Sequence, residues 1–215
     1  KKQVSGYQDL RDPILAKNEE FQEYDRQLRA SFETFRSLMV QVEEFGDGAV
    51  EELENNPDTP ITWDSGLGLR WGAADGGMEA SIFLLERFYF YQLILSKPED
   101  LSTYEARLDE SLQNLRSRMS ELINHPLFYQ TIPNSHDTYS QALAAQLAQH
   151  EQVFSRALTS FKELYLLKLN YDQKATNLLE LTEEVEELGD ATVENELERV
   201  QQLGDFTTQL LLGAT

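Results

Sequence analysis

The chain of 215 residues contains no cysteine, and this absence excludes disulfides, thiolate nucleophiles and cysteine-based zinc or iron–sulfur sites. Histidine is rare: His125, His136 and His150 are far apart in the sequence, and none has a second ligand at the spacing of a metal site. No serine stands in an elbow-like context, and Gly66 and Gly68 lack the strand and the lysine of a phosphate-binding loop. We therefore expect neither enzymatic activity nor a metal or cofactor.

Positive charge is scarce as well. Lys and Arg number 18 against 38 Asp and Glu, which gives a net charge of −20. This charge argues against nucleic acid, because a binder needs a basic face to displace counterions from phosphate, and it disfavours an anionic membrane surface. The densest apolar stretch, residues 82–95, is too short to span a membrane and contains Glu86, Arg87 and Gln92. The acidic residues are expected to solvate the outer faces of helices.

Proline is absent after Pro133, and apolar residues then recur every three or four positions almost to the end. This pattern predicts one helix that begins near Asp137, whose carboxylate can cap the first turn. A helix of about 75 residues would be on the order of 110 Å long. After Leu188 the apolar series resumes at Val193 with a shift of one residue, so Gly189 and Asp190 are predicted to mark a kink or break.

Three further helices are predicted. The first runs from about Asp12 to Asn55, and its apolar residues follow two heptad rows. Residues 61–77 are the least regular part of the chain. A second helix, from Met78 to Lys97, is apolar on most sides and should lie inside a bundle. A third follows Pro98 and stops before residue 126.

These lengths predict an all-α fold, an elongated up-down-up-down four-helix bundle whose long first and last helices extend beyond it. We expect a single elongated domain over residues 1–215, with a distal bundle at about 28–165 and a stalk formed by about 7–27 and 166–213. The apolar series from Leu178 to Leu203 has no partner of equal length in the chain, apart from the N-terminal part of the first helix. We therefore expect a homodimer through this stalk.

Arg87 is the leading candidate for a ligand contact, because a guanidinium inside an almost wholly apolar helix must find an anion or be desolvated at high cost. Its partner could be a carboxylate, with Glu86, Glu33 and Glu105 as the candidates. In the antiparallel register given by helix rise, three arginines would lie at one level and suit a small organic anion. The predicted ligand-binding residues are Arg87, Arg156 and Arg36, with Tyr89, Tyr91 and Phe154 as walls.

A second candidate site lies in the glycine-rich segment. Trp63 and Trp71, together with Asp64, Asp75 and Glu79, could enclose a cationic amine. The tryptophans could equally plug the end of the bundle.

The chain resembles the helical bimodular sensor domains, which are extracytoplasmic domains of bacterial chemoreceptors and some sensor histidine kinases. The resemblance covers about residues 10–213. It rests on a long first helix with an acidic end (42–55), an apolar-aromatic helix with an internal arginine (residues 86–89), a leucine-spaced third helix and a very long last helix. The family stacks two four-helix bundles on shared long helices, and some members bind small carboxylic acids. The arginines on the family's first helix have no counterpart here, so the resemblance implies only the distal site.

The resemblance implies a periplasmic domain of an inner-membrane protein, flanked by membrane helices outside this segment. Its partner would be a small-molecule ligand or a periplasmic binding protein, and ligand binding would shift the long helices by a small piston or rotation. The alternative is a structural or partner-docking helical bundle without a small-molecule ligand. Hydrophobic spans in the full-length gene just before and just after the segment would favour the sensor.

Overall fold

The computed structural model describes residues 11–55 and 66–213, and the side chains of those residues up to 204. Four helices account for most of this part of the chain: α1 (Arg11–Glu54), α2 (Leu67–Ser96), α3 (Leu101–Ile123) and α4 (Tyr139–Gly213). Two short 3₁₀ turns, Pro98–Asp100 and Pro126–Tyr129, lie before and after α3. No strand occurs within the described ranges, where an isolated bridge joins Thr131 and Thr138. The predicted all-α class is confirmed.

The chain divides into two compact units, one of residues 17–165 and one whose described part is residues 11–16 and 166–213. The first unit contains the hydrophobic core, in which the four helices pack together. Its buried side chains form two clusters. One cluster includes Phe35 and Met39, and the other includes Tyr91 and Phe154. Phe88 packs against both clusters. In the second unit, the described side chains of α4 beyond residue 181 are exposed.

The heptad rows predicted for α1 correspond to its buried face from Leu28 onward, where Phe35 and Val42 are fully buried. Residues further along α1 contact residues nearer the start of α2. Phe32 stacks on Phe88 with ring centroids 4.3 Å apart, and a Cβ on Gly46 would lie 2.5 Å from the backbone nitrogen of Ala74. The two helices therefore run in opposite directions.

The start of α2 corrects the sequence prediction. The helix begins at Leu67, after Gly66 in the left-handed region at a φ of 97°, and not at Met78. The glycines that indicated irregular chain instead permit close packing. A Cβ on Gly76 would lie 2.7 Å from Cδ2 of Leu122, and one on Gly77 would lie 3.0 Å from the backbone nitrogen of Glu43.

Helix α2 is not enclosed on all sides, and that expectation was wrong. One side carries the buried residues, and the opposite side exposes large apolar side chains such as Ile82 and Tyr89. An apolar composition without periodicity shows that a helix can be buried all round, but the number of neighbouring helices decides whether it is.

Helix α4 corrects two further details. It runs without interruption from Tyr139 to Gly213, so a break at Gly189 and Asp190 is wrong, and a kink there stays a prediction. Nothing lies within 4 Å of a Cβ added to Gly189, which indicates a tolerated glycine on an open helix. At the other end, the capping interactions come from Thr138 and not from Asp137. Thr138 Oγ1 accepts a hydrogen bond from the backbone nitrogen of Gln141, and Gln141 Oε1 accepts one from the backbone nitrogen of Thr138.

Candidate ligand pocket beside Arg87

Arg87 is a buried cation in the core of the first unit. Its side chain is only 6% exposed, because it shares a side of α2 with Leu84 and Tyr91, which are fully buried. Nη1 donates a hydrogen bond of 2.7 Å to the backbone oxygen of Leu108, and Cζ lies 3.7 Å from the ring centroid of Phe154. Nε has no hydrogen-bond partner within the described residues. The guanidinium is thus held by a carbonyl and an aromatic face, and its buried Nε donor is unused.

The charge of Arg87 is retained despite this burial. Desolvation lowers the pKa of Arg87 to about 10, and the carboxylates of Glu151 and Asp109 oppose that decrease. Arg87 forms no ion pair of its own within the part of the chain that the structure describes. The side chain is therefore protonated at neutral pH, and its charge is incompletely compensated.

A cavity of about 270 Å³ adjoins this guanidinium. Its walls are formed by Arg87, Glu105, Leu108, Asp109, Phe154, Leu158 and Lys162, from α2, α3 and α4. Lys162 and Glu105 form an ion pair across the wall. The volume is near the lower limit of small-molecule pockets, which begin at about 300 Å³. The space suits a ligand of a few heavy atoms, and its lining carries two cations and two carboxylates.

His150 is a further buried titratable group near the cavity, and the sequence alone indicated no role for it. It is 1% exposed, its ring centroid lies 5.6 Å from that of Phe35 and 5.9 Å from that of Phe154, and neither ring nitrogen has a partner in the described chain. Desolvation first, and then the charge of Arg87, lower the pKa of His150 to about 4. The imidazole is therefore neutral at pH 7. The sequence signal that could have predicted its burial is its spacing from Leu147 and Phe154, which places residue 150 on the apolar side of α4.

Glu151 carries a negative charge close to Arg87 and His150, but its carboxylate is already paired with Arg116. Arg116 donates from Nε at 2.7 Å and from Nη2 at 2.6 Å to the two carboxylate oxygens, a bidentate pair that joins α3 to α4. The hydrogen bonds from Arg116 lower the pKa of the Glu151 carboxyl. Glu151 thus contributes negative potential near Arg87 without forming an ion pair with it.

The structure brings together only part of the predicted set of residues. Arg87 and Phe154 line the cavity, whereas Arg36 and Arg156 are exposed and do not line it. Arg36 lies 3.7 Å from a carboxylate oxygen of Glu33. The second cation of the cavity is Lys162, which was not among the predicted ligand-binding residues.

The two predicted tyrosine walls lie elsewhere. Tyr91 is fully buried, and its hydroxyl donates a hydrogen bond of 2.9 Å to Oδ1 of Asp25. Burial and then the charge of Asp25 raise the pKa of Tyr91. The ring of Tyr91 lies 5.5 Å from that of Phe154, so Tyr91 packs against a residue of the cavity wall without lining the cavity itself. Tyr89 is exposed on the opposite side of α2.

The alternative amine site is only partly visible. Trp63 and Asp64 lie outside the described residues. Trp71 and Asp75 are exposed on α2, and Glu79 forms an ion pair with Arg118.

The described residues contain no cluster of three or more His, Cys, Asp or Glu that could hold a metal ion. None of their helices has an apolar stretch long enough to cross a membrane. Comparisons with models of protein families, with curated proteins and with solved structures gave no match.

Proposed function

We propose that this chain is an extracytoplasmic ligand-sensing domain of a transmembrane receptor for chemotaxis or two-component signalling, and that it binds a small organic acid beside Arg87. The observation that carries the proposal is a buried, protonated guanidinium with an unused Nε donor next to a cavity of about 270 Å³. Burying a cation without an anion is costly, and a carboxylate in the cavity would offset that cost.

The helices that supply the cavity give the proposal a route for a signal. In the proposed architecture, an up-down-up-down bundle, ligand contacts involve α2, α3 and α4 together. Helix α4 contributes Phe154 to the cavity and belongs to both compact units of the chain. A ligand that favours one position of α4 would shift the population of helix positions and so report its presence.

The placement of the domain is part of the same proposal. It would be a periplasmic domain of an inner-membrane protein, with flanking membrane helices outside this segment, and it would act as a homodimer. The acidic surface that follows from a net charge of −20 suits a ligand-binding domain that does not contact nucleic acid.

The test is calorimetric titration with organic acids of two to six carbons, such as acetate, pyruvate, succinate and citrate. We expect one of these acids to bind and to raise the melting temperature by mass action. Arg87→Met keeps most of the side-chain volume and removes the charge, so it should weaken that binding by at least about tenfold. Arg36→Met is the matched control, because Arg36 is exposed and outside the cavity. Equal affinity in wild type and Arg87→Met would contradict the site.

Absence of binding by the whole panel would favour the alternative, a structural or partner-docking bundle without a small-molecule ligand. The exposed apolar side chains of α2 and α4 are the observation that supports this alternative. A panel of amines in the same titration would test the segment that contains Trp63 and Trp71.

A further inference from the structure

One side of α2 forms an exposed apolar surface, which we call the outer face. It consists of Trp71, Met78, Ile82, Leu85 and Tyr89, with Asp75 between the first two. The five apolar side chains are 41–59% exposed. Their spacing alternates between four and three residues once Asp75 is included, which is the spacing of a coiled-coil seam.

The core does not use this surface. The residues of α2 that are buried, including Ala80, Leu84, Arg87 and Tyr91, lie on the opposite side of the helix. Scattered exposed apolar residues need no explanation, but five large ones along one side of a single helix mark an interaction site. The row extends over about 27 Å, since 18 residue steps of ~1.5 Å separate Trp71 from Tyr89.

We propose that the outer face of α2 binds an amphipathic helix of a partner protein whose apolar seam is bordered by Lys or Arg. The charges along the row select this partner. Asp75 interrupts the row and Glu86 borders it, and neither forms an ion pair within the described residues. Glu79 also borders the row and is paired with Arg118. A partner helix with basic flanks would supply the opposite charges.

A second copy of the chain fits this face poorly. In a parallel pair, identical positions meet across the seam, so Asp75 would face Asp75 of the other copy. In an antiparallel pair centred near Ile82, Glu86 of each copy would approach Glu79 of the other.

This inference does not depend on the proposed ligand site, and its test uses a peptide. The probe is a labelled helical peptide of three heptads with Leu and Ile in the seam and Lys at the flanking positions. A control peptide carries Glu at the flanking positions. We expect the Lys peptide to bind the full chain at least about tenfold more tightly than the Glu peptide, and we expect added salt to weaken it.

Variants localise the binding. Ile82→Glu and Leu85→Gln should each reduce the affinity for the Lys peptide by about tenfold or more, since both side chains are exposed and lie within the seam. Val40→Glu, which places a charge on an exposed apolar residue of α1, should leave it unchanged. Circular dichroism melts should show that all three variants fold as the wild type does.

Three results would overturn the proposal. Equal binding of the two peptides would remove the charge preference, and unchanged binding to Ile82→Glu would remove the site. If sedimentation shows that the chain self-associates and that Ile82→Glu abolishes this association, the occupant is a second copy and not a basic partner helix.

Discussion

His150 is a neutral imidazole held in a place that disfavours its charged form. Desolvation and the neighbouring Arg87 both oppose protonation, and only Glu151, already paired with Arg116, favours it. The pKa of His150 is about 4 in the folded chain and 6.5 when unperturbed. As the pH falls, the unfolded chain therefore takes up this proton first, and the folded state loses stability between about pH 6.5 and pH 4.

We predict from this that His150→Leu reduces the acid sensitivity of the fold. Between about pH 7 and pH 5 the histidine alone should lower the free energy of unfolding of the wild type by roughly 2 kcal/mol, and the variant should lack that part of the loss. Urea unfolding at the two pH values measures the difference. His136→Leu, at an exposed histidine, is the control and should follow the wild type. Identical losses in wild type and His150→Leu would contradict the prediction.

The residues around Arg87 show what a sequence can and cannot determine about a site. An arginine in an apolar helix could be predicted to be buried, and it is. Helix rise also places residues at one level along a bundle, but the direction of each side chain around its helix decides whether it faces inward. Arg36 follows the buried Phe35 directly, and Arg156 precedes the buried Ala157, so both point away from the core. Lys162 escaped notice because a lysine in a mixed sequence carries no special signal.

At the scale of the elements, glycine was the least informative residue. In α2 the sequence favoured a loop at Gly76 and Gly77. The structure shows helix there, because the absence of a side chain allows close contacts with α3 and α1. In α4 the sequence favoured a break at Gly189, and the structure shows helix there without any such contact. The fold class and the later helix boundaries depend on apolar periodicity and proline, which is why they could be predicted.

We predict opposite effects for two substitutions of helical glycine by alanine. Gly189→Ala should stabilise helix α4 by up to about 1 kcal/mol, because glycine has more backbone entropy to lose and the added Cβ meets nothing within 4 Å. Gly46→Ala should destabilise the chain, because its Cβ would lie 2.5 Å from the backbone nitrogen of Ala74 and the two helices would have to separate. Thermal unfolding followed by circular dichroism measures both. A stabilising Gly46→Ala would contradict the close packing of α1 and α2.

The start of α4 depends on a reciprocal cap, and it gives a prediction of its own. Thr138→Ala removes the hydroxyl that accepts from the backbone of Gln141, and it should cost about 1 kcal/mol of stability. Asp137→Ala should cost less, although Asp137 is the residue that the sequence favoured as the cap. Chemical unfolding of the two variants compares them directly, and a larger loss for Asp137→Ala would contradict the assigned cap.

At the scale of the whole molecule, the exposed apolar residues of α4 are the strongest indication that the chain associates with another subunit. Val185, Leu188, Val193, Leu197 and Val200 are 60–69% exposed. Since successive helical residues are about 100° apart, the shift of one residue after Leu188 turns the apolar side by about that angle while the helix continues. The segments before and after Gly189 therefore present their apolar sides in different directions. A homodimer through α4 is our proposal for what covers the second segment.

The last prediction tests that dimer with a pair of substitutions two residues apart. Leu197→Glu places a charge in the apolar row with Val193 and Val200, whereas Asn195→Glu adds the same charge about 200° around the helix. If two copies associate through this row, sedimentation at high concentration should show weaker dimerisation for Leu197→Glu and no change for Asn195→Glu, because only the first buries an unpaired carboxylate. Equal sedimentation of both variants as dimers would place the interface elsewhere, and a wild type that is monomeric at every concentration would refute the dimer.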